Sequence, residues 1–253
     1  MEHQADKNNL EAAQKFAEMA GVSADKASKL RLKSSMGFKV VYRPGSSDVD
    51  VLSHSFENDI FLKSVPEYHP HISHTVLDVG AHIGDFSLLI SQQVARVYSI
   101  EARRETFGLL KTNLFLNNAT NVIADHVAIS DRNGFCSLYL AKEGESWGDS
   151  TTFDFNGSAE RVPCLTLQRY LFERNISRVH FAKFNCEGAE FPILMSADQS
   201  TLSNFDTILV LYHCDLVSGA SQSMLQEKLW QCGFTTSIRN QSEDRGWMIV
   251  TRR

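Results

Sequence analysis

Two acids and two glycines stand at spacings that suit a site for a nucleoside-bearing ligand. Asp78 lies in the apolar run VLDV, and Gly80 and Gly84 follow it in VLDVGAHIGDFS (residues 76–87). Glu101 ends the next apolar run, about 20 residues after Gly80. A carboxylate at that place can accept charge-assisted hydrogen bonds from both hydroxyls of a ribose. We therefore expect Glu101 to bind the ribose of such a ligand.

The glycine spacing separates two classes of cofactor. A pyrophosphate-binding loop follows G-x-G-x-x-G, whereas this chain has D-x-G-x-x-x-G, with Ala81 and His82 where a phosphate would need bare backbone. Asp78 would repel a pyrophosphate, but it can take an ammonium group, directly or through water. The pattern therefore predicts a nucleoside joined to an amino acid, namely S-adenosylmethionine. The residues expected to bind it are Asp78, Gly80, Ala81, His82, Gly84 and Glu101.

Each acid in this pattern could instead have a purely structural role. Asp78 could cap a helix, and Glu101 could be a solvated strand end. The occurrence of both acids at this spacing favours the cofactor site over these structural roles.

The elements that must position these residues follow a strand–helix rhythm from Thr75 onward. Strand-like runs alternate with helical stripes such as Phe86, Leu89 and Ile90. The alternation predicts an α/β fold with a doubly wound, Rossmann-like and mostly parallel sheet, whose ligands bind beyond the carboxyl ends of the strands. The final stretches, FTTSIRN and WMIVTRR around Gly246, predict an antiparallel hairpin. The strand-like runs are TVLDV, RVYSIE, NVIADHVAI, VHFAKFN and DTILVLYH.

Residues 1–60 differ in rhythm from the rest and are predicted to form an accessory, mainly helical segment. A helix is expected over residues 4–20 and a second from Ser23 to about Leu32. A short strand, a Pro44-Gly45 turn and another extended piece follow. The N-terminal helices could form a lid or the surface of a homodimer.

Four stretches together resemble the FkbM family of class I S-adenosylmethionine-dependent methyltransferases over about residues 75–215. They are VLDVGAHIGDFS, YSIEARRETFGLLKTNLFLNN, HVAISDRNG and FAKFNCEGAEFPIL. The resemblance implies a seven-stranded sheet with its last strand reversed, and residues 61–253 as the methyltransferase domain. It also implies methyl transfer, usually to a hydroxyl of a sugar, a polyketide or another small metabolite.

The resemblance assigns some roles and leaves two positions unusual. It places Ala128 against the adenine of the cofactor, with Asp125 or His126 as a further contact. His82 stands where an Asn is common in the family. Asn185 stands where the family has an Asp.

A second set of chemically capable residues follows two later strand-like runs. Asn185 ends the run in FAKFNCEGAE, where Glu187 and Glu190 are three residues apart and are predicted to share one side of a short helix. His213 ends LVLYH. We expect Glu187, Glu190 or His213 to take the proton of an attacking hydroxyl. Asn185 is expected to hydrogen-bond the acceptor or the cofactor's amino group. The alternatives are helix N-terminal acids and a structural histidine.

Several features leave the acceptor open. In GESWGDSTTF, Trp147 and Asp149 could contact a sugar-like acceptor, or the stretch could be an ordinary exposed loop. An amine could replace the hydroxyl as acceptor. The same architecture could also house a nicotinamide-dependent oxidoreductase, or a non-catalytic cofactor-binding protein in which Asn185 marks lost activity.

Composition bounds the remaining choices. The 253 residues carry a net charge of −5, which argues against nucleic acid as a partner, and no apolar run is long enough to cross a membrane. The five cysteines lack paired spacing, so we expect neither a disulfide framework nor a zinc site, and a cytoplasmic location. The histidines of YHPHISH, at 69, 71 and 74, have no neighbouring carboxylate or cysteine, so no metal site is predicted there.

Overall fold

The structure, a computed structural model, describes residues 2–142, 148–155, 157–242 and 244–253, with the backbone alone for residues 2–5. The strands are β1 (Arg31–Ser35), β2 (Phe38–Tyr42), β3 (Thr75–Val79), β4 (Arg96–Glu101), β5 (Val122–His126), β6 (Ala128–Ser130), β7 (Gly134–Tyr139), β8 (Ala159–Thr166), β9 (Val179–Phe184), β10 (Phe205–His213), β11 (Phe234–Arg239) and β12 (Arg245–Arg252). The α-helices are α1 (Glu2–Met19), α2 (Ala24–Lys29), α3 (Asp48–Leu52), α4 (Ile60–Lys63), α5 (Asp85–Ser91), α6 (Arg104–Leu116), α7 (Leu167–Glu173), α8 (Glu190–Ser196), α9 (Gln199–Leu202) and α10 (Gln222–Gln231). A π-helical turn spans Ser53–Glu57 and a short 3₁₀ turn spans Cys214–Leu216.

A seven-stranded sheet in the order β11-β12-β10-β9-β3-β4-β5 forms the centre of the fold. Strands β5, β4, β3, β9 and β10 run parallel, and β12 runs antiparallel to both of its neighbours. The predicted α/β fold with a mostly parallel sheet and a C-terminal antiparallel hairpin is therefore confirmed. The chain leaves β3 in one direction to β4 and β5 and returns on its other side to β9. The strand order thus reverses between β3 and β9, which is where such sheets bind ligands.

Apolar side chains cover both faces of the sheet because successive residues of a strand point to opposite sides. Phe181 of β9 packs with Val76 and with Phe86 of α5 on one face. Its neighbour Ala182 packs on the other face, in a cluster that includes side chains of α8 and α10. Both faces of the central strands β3 and β9 are buried, as their nearly continuous apolar sequences predict.

The N-terminal segment is packed onto the sheet domain. Ala13 and Ala17 of α1 share an apolar cluster with Leu109 and Leu110 of α6. Asn113 of α6 then fixes the hairpin of β1 and β2, because its side chain accepts the N–H of Val41 at 2.8 Å and donates to the carbonyl of the same residue at 3.1 Å. Residues 1–60 are therefore joined to the rest by a common core and by buried hydrogen bonds.

Three local predictions are wrong. Residues 31–35 form β1, paired with β2, rather than the end of a helix. Residues 48–52 form α3 rather than an extended piece, because Asp48 turns back to accept the N–H of Arg43. The run NVIADHVAI divides into β5 and β6, since β6 leaves the central sheet to pair with β8 in a separate sheet of order β6-β8-β7.

In the parts of the chain that the structure describes, no helix combines the length and the apolar character that crossing a bilayer requires.

Candidate active site

A cavity of about 450 Å³ lies at the carboxyl ends of the parallel strands, across the point where their order reverses. Its volume falls within the range of small-molecule sites. Four predicted site residues, Asp78, Ala81, Gly84 and Glu190, are outside its lining. The predicted residues that line it are Gly80, His82, Glu101, Ala128, Asn185, Glu187 and His213.

Gly80 makes the tight junction on which the cavity depends. Its φ is +77°, and a Cβ placed there would lie 1.9 Å from the main-chain oxygen of Asn185. The N–H of Asn185 donates to the carbonyl of Val79 at 3.0 Å. The ends of β3 and β9 therefore approach closely because residue 80 has no side chain. Gly84, with φ +89°, is the N-cap of α5.

Glu101 faces the cavity from the end of β4. Its carboxylate accepts the N–H of His82 at 2.9 Å and the N–H of Arg103 at 2.9 Å. Burial raises the pKa of Glu101 to about 7, although these two hydrogen bonds act in the opposite direction. The main chain thus fixes the carboxylate at the wall, and its remaining lone pairs can accept from hydroxyl groups of a ligand.

Asp78 lies behind the cavity wall, where the ammonium contact expected for it is already made by the protein. Its side chain is 0% exposed. One carboxylate oxygen accepts from the Nζ of Lys183 at 2.8 Å, and the other accepts from the hydroxyl of Ser87 at 2.6 Å. These contacts give Asp78 the role of binding β3 to β9 and α5, instead of the ligand contact that the sequence suggested.

The adenine side of the predicted site is lined by small and apolar groups. Ala128 and Ile129 of β6 line the same cavity as Glu101. Asp125 faces away, since its carboxylate accepts from the hydroxyl of Tyr170 at 2.7 Å. Nε2 of His126 lies 2.9 Å from the carbonyl oxygen of Ala102, and its ring stacks on Phe107 of α6. Neither Asp125 nor His126 is part of the cavity lining.

The loop that contains Trp147 contributes only in part. Trp147 lies outside the described residues, so its predicted role stays a prediction. Asp149 lines the cavity, accepts the N–H of Ala141 at 2.8 Å and pairs with Arg103 at 2.9 Å. Burial raises the pKa of Asp149, and Arg103 opposes this. These contacts make Asp149 a support of the wall beside Glu101.

His213 lies between two carboxylates at the other end of the cavity. Its Nε2 is 3.6 Å from Glu187, and its Nδ1 is 3.5 Å from Glu190. The structure brings the two glutamates together in a way that the sequence did not predict. Glu187 has φ +49° and belongs to a tight turn, and α8 begins only at Glu190. The predicted common helix is therefore wrong.

Glu190 is a fixed partner of this cluster. It is fully buried, and its carboxylate accepts the N–H of Cys186 at 2.5 Å and the N–H of Gly188 at 2.8 Å. The main chain of the turn therefore holds Glu190 against Nδ1 of His213. Nε2 of His213 is thereby directed toward Glu187, which lines the cavity.

Electrostatics make this cluster suitable for proton transfer near neutral pH. Burial raises the pKa of Glu187 to about 7, with His213 lowering it and Glu190 raising it further. Burial lowers the pKa of His213, but the negative charges of Glu190 and Glu187 outweigh it, so that the pKa of His213 is raised. The contact of Nδ1 with Glu190 at 3.5 Å is a charge contact without a hydrogen bond. Carboxyl and imidazole groups that titrate near the working pH are the groups that serve as general acids and bases.

Asp85 and Ser55 belong to the site but were missed as ligand-facing residues. Asp85 is the first residue of α5, lines the cavity, and accepts from the hydroxyl of Ser55 in the π-helical turn. From the sequence, Asp85 is only an acid at the start of a helix, where it would complement the positive helix end. Its burial depends on packing by the N-terminal segment, for which the local pattern around residue 85 carries no signal.

A second link from the N-terminal segment also reaches the loop after β3. Asp48 is fully buried and pairs with Arg43 at 2.9 Å, and its carboxylate lies 3.3 Å from Nε2 of His82. Burial raises the pKa of Asp48, but the charges of His82 and Arg43 outweigh it and set this pKa at about 2. Burial lowers the pKa of His82 to about 4 despite Asp48. Residues 43–48 thus support the loop that carries His82.

Of the histidines before β3, His74 serves as a packing group, and His69 and His71 are exposed. His74 stacks on His180 with ring centroids 4.3 Å apart, and its Nδ1 is 3.2 Å from the hydroxyl of Tyr68. His71 bonds to Ser73 at 2.8 Å. Within the described ranges, no three potential metal ligands are grouped.

Comparison with known proteins adds a family and a set of distant similarities. The family described as the methyltransferase FkbM domain matches residues 78–235. The AMB antimetabolite synthetase AmbE of Pseudomonas aeruginosa is 26% identical over 204 aligned residues, and the match covers 65% of this chain and 10% of the synthetase. The chain therefore spans about a tenth of the length of this curated relative.

Two solved structures illustrate the structural similarities. TYW2 of M. jannaschii in complex with AdoMet is 11% identical with a TM-score of 0.46, and the alignment covers 89% of this chain and 87% of that chain. TrmK of M. capricolum in complex with S-adenosylhomocysteine is 10% identical with a TM-score of 0.47, with coverage of 76% and 66%. At this level of similarity, neither structure bears on the substrate of this chain.

Proposed function

The chain belongs to the FkbM family of S-adenosylmethionine-dependent methyltransferases, and we propose that it transfers a methyl group to a hydroxyl of a small molecule. One observation carries the proposal: the pair of His213 and Glu187 lines the same cavity as Glu101. The acid that we expect to bind the ribose and a pair able to accept a proton thus line one cavity, an arrangement suited to methyl transfer to a hydroxyl.

The residues present fit the methyl donor. Oδ1 of Asn185 is buried at the cavity and has no hydrogen-bond partner among the described residues, so it can accept from a polar group of a ligand. Glu101 offers a fixed carboxylate for the ribose hydroxyls, and Ala128 leaves room for a flat base. These residues would hold S-adenosylmethionine, with Glu101 and Ala128 at its adenosine and Asn185 at its amino acid.

Little chemistry is left for the protein once the donor is bound. When bound, the sulfonium would supply an electrophilic methyl carbon, which an acceptor oxygen can attack in line as the carbon–sulfur bond breaks and S-adenosylhomocysteine leaves. The chain's own residues must hold the acceptor oxygen in attacking geometry, exclude water and accept one proton. His213 and Glu187 are placed for the last of these tasks.

The proton acceptor is the cluster of His213 and Glu187, with Glu190 as its support. Glu190, held by two main-chain N–H groups, keeps Nδ1 of His213 on its own side. The proton of the acceptor hydroxyl is taken by Nε2 of His213 or by the Glu187 carboxylate that faces it at 3.6 Å. Because the two groups face each other across 3.6 Å, a proton taken by one of them is stabilised by the charge of the other.

The cavity also favours a small acceptor with an apolar body. Donor and acceptor would share a cavity of about 450 Å³, a volume within the range of small-molecule sites. Phe61 and Trp247 line the wall near His213 and stack with ring centroids 5.9 Å apart. An acceptor of this type would be an intermediate of natural-product synthesis. The relative AmbE is described as an antimetabolite synthetase. The other apolar residues of this wall are Val51, Ile60 and Leu211.

A screen of hydroxylated and aminated small molecules, with S-adenosylhomocysteine release as the signal, tests the proposal. With a hydroxylated acceptor found, Glu187→Gln and His213→Gln should each lower kcat by roughly 10²- to 10⁴-fold while the Kd of S-adenosylhomocysteine stays within about twofold. Glu227→Gln, an exposed carboxylate on α10, is the matched control and should leave kcat unchanged. Full kcat in both cluster variants, or turnover of amines alone, would refute the proposal.

A further inference from the structure

We propose that Asp85, supported by the hydroxyl of Ser55, binds the α-ammonium group of the methyl donor. The inference deepens the proposed function and rests on it for the identity of the ligand. It assigns to Asp85 the contact for which Asp78 stands in the wrong place, and it gives the N-terminal segment a part in holding the donor.

The position of Asp85 is the first ground. Its carboxyl group is 3% exposed, yet it is part of the cavity lining together with Gly80, Lys183 and Asn185. The Ser55 hydroxyl donates to this carboxylate. A buried carboxyl group at the wall of a ligand cavity is suited to a cationic group of the ligand, because only a paired buried charge is stable.

The balance of buried charge is the second ground. Asp78, Asp85 and Lys183 lie together under α5, and they bring two carboxyl groups and one ammonium. Lys183 donates to Asp78 at 2.8 Å and to the carbonyl of Gly80 at 3.0 Å, so its charge is committed to Asp78. The two carboxyl groups therefore have one ammonium between them, and that ammonium is hydrogen-bonded to Asp78. A ligand ammonium supplies the missing positive charge.

Titration of Asp85 agrees with this balance. Burial raises the pKa of Asp85 to about 7; Lys183 and the Ser55 hydroxyl lower it, and Asp78 raises it. In the free protein a proton therefore neutralises this carboxyl group in roughly half of the molecules at pH 7. A bound ammonium takes the place of that proton. His54 of the π-helical turn lines the same cavity and is the further titratable group on that side.

The neutral side chain of Asn185 leaves the charge of a bound ammonium group to be balanced by another residue. Asn185 can accept a hydrogen bond from an ammonium but cannot balance its charge. Its buried Oδ1 has no hydrogen-bond partner among the described residues. Asp85 and Asn185 line one cavity, and together they offer the charge and a neutral acceptor for the same ammonium group.

Ligand analogues can separate this role from a structural one. S-adenosylhomocysteine carries the ammonium, whereas 5′-(3-carboxypropylthio)-5′-deoxyadenosine is the same molecule without its amino group. Titration calorimetry on the full chain should show that Asp85→Asn raises the Kd of S-adenosylhomocysteine about tenfold or more. The Kd of the desamino analogue should stay the same or fall, because the variant removes a negative charge from its surroundings.

Two further variants complete the experiment. Ser55→Ala should weaken S-adenosylhomocysteine selectively, by a smaller factor, and it keeps the test open if Asp85→Asn does not fold. Asp50→Asn removes an exposed acid from the neighbouring helix α3 and should change neither Kd. Equal weakening of both ligands by Asp85→Asn, or weakening of neither, overturns the inference. Absence of S-adenosylhomocysteine binding to the wild type would instead refute the proposed function itself.

Discussion

The buried pair of Asp78 and Lys183 gives a prediction that tests the role assigned to Asp78. Replacing Lys183 by Met keeps most of the side-chain volume but removes the ammonium. Asp78 then keeps a hydrogen bond from Ser87 and loses the cation 2.8 Å away. Both side chains are almost completely buried, so water cannot replace the lost partner.

The size of the effect follows from that burial. Breaking a buried ion pair on one side costs about 3–5 kcal/mol of unfolding free energy. For a chain of this length, this corresponds to a fall in Tm of roughly 6–20 °C. A small domain has in total only about 5–15 kcal/mol, so Lys183→Met should remain folded with a reduced margin.

Denaturant unfolding of four proteins measures the effect and its cause. The set is the wild type, Lys183→Met, Asp78→Asn and the double variant. The double variant should be more stable than Lys183→Met by about 1–3 kcal/mol, because it no longer buries an unpaired carboxylate. A loss below about 1 kcal/mol in Lys183→Met, or additive losses in the double variant, would show that Asp78 and Lys183 do not depend on each other.

Three other predictions concern the loop after β3. Gly80→Ala should lower the free energy of unfolding by several kcal/mol more than Gly45→Ala. The two φ values are alike (+77° and +74°), but of these two positions only residue 80 would place its Cβ against a main-chain atom, at 1.9 Å. Equal losses of unfolding free energy in denaturant would contradict the close approach. At pH 7, binding of S-adenosylhomocysteine should release roughly half a proton from Asp85, and its affinity should rise between pH 6 and 8, because the ammonium needs the ionised carboxylate. Calorimetry in buffers of different ionisation enthalpy measures the proton release, and Asp85→Asn should lack the Asp85 contribution to it. Asp48→Asn should lower the affinity for S-adenosylhomocysteine a fewfold, because Asp48 supports His82. An unchanged affinity would show that the N-terminal segment does not support the loop that carries His82.

Much of the sheet and part of the site could be predicted because the signals are local. Alternating strands and helical stripes gave the parallel sheet, and the spacing from Gly80 to Glu101 located one edge of the cavity. The short runs of the N-terminal segment were ambiguous, because pairing and capping decide them. Residues 31–35 became a strand through pairing with β2, and residues 48–52 became a helix where Asp48 turns back to Arg43.

The roles of individual acids could not be predicted from local spacing. Whether Asp78 faces a ligand or a lysine depends on Lys183, which is 105 positions away in the sequence. Glu187 and Glu190 were expected on one helix, but the positive φ of Glu187 forms a turn that places them on two sides of His213. Such choices depend on which distant side chain fills the available space, and one sequence does not encode them in a short pattern.

The central claim is that one cavity holds the methyl donor through Glu101 and places its reactive end beside His213 and Glu187. A crystal structure of the full chain with S-adenosylhomocysteine tests it most directly. We expect the ribose hydroxyls on the Glu101 carboxylate, the ammonium at Asp85, and the sulfur on the side of the cavity that His213 and Glu187 line. A ligand bound elsewhere, or bound in this cavity without a contact to Glu101, would contradict the account.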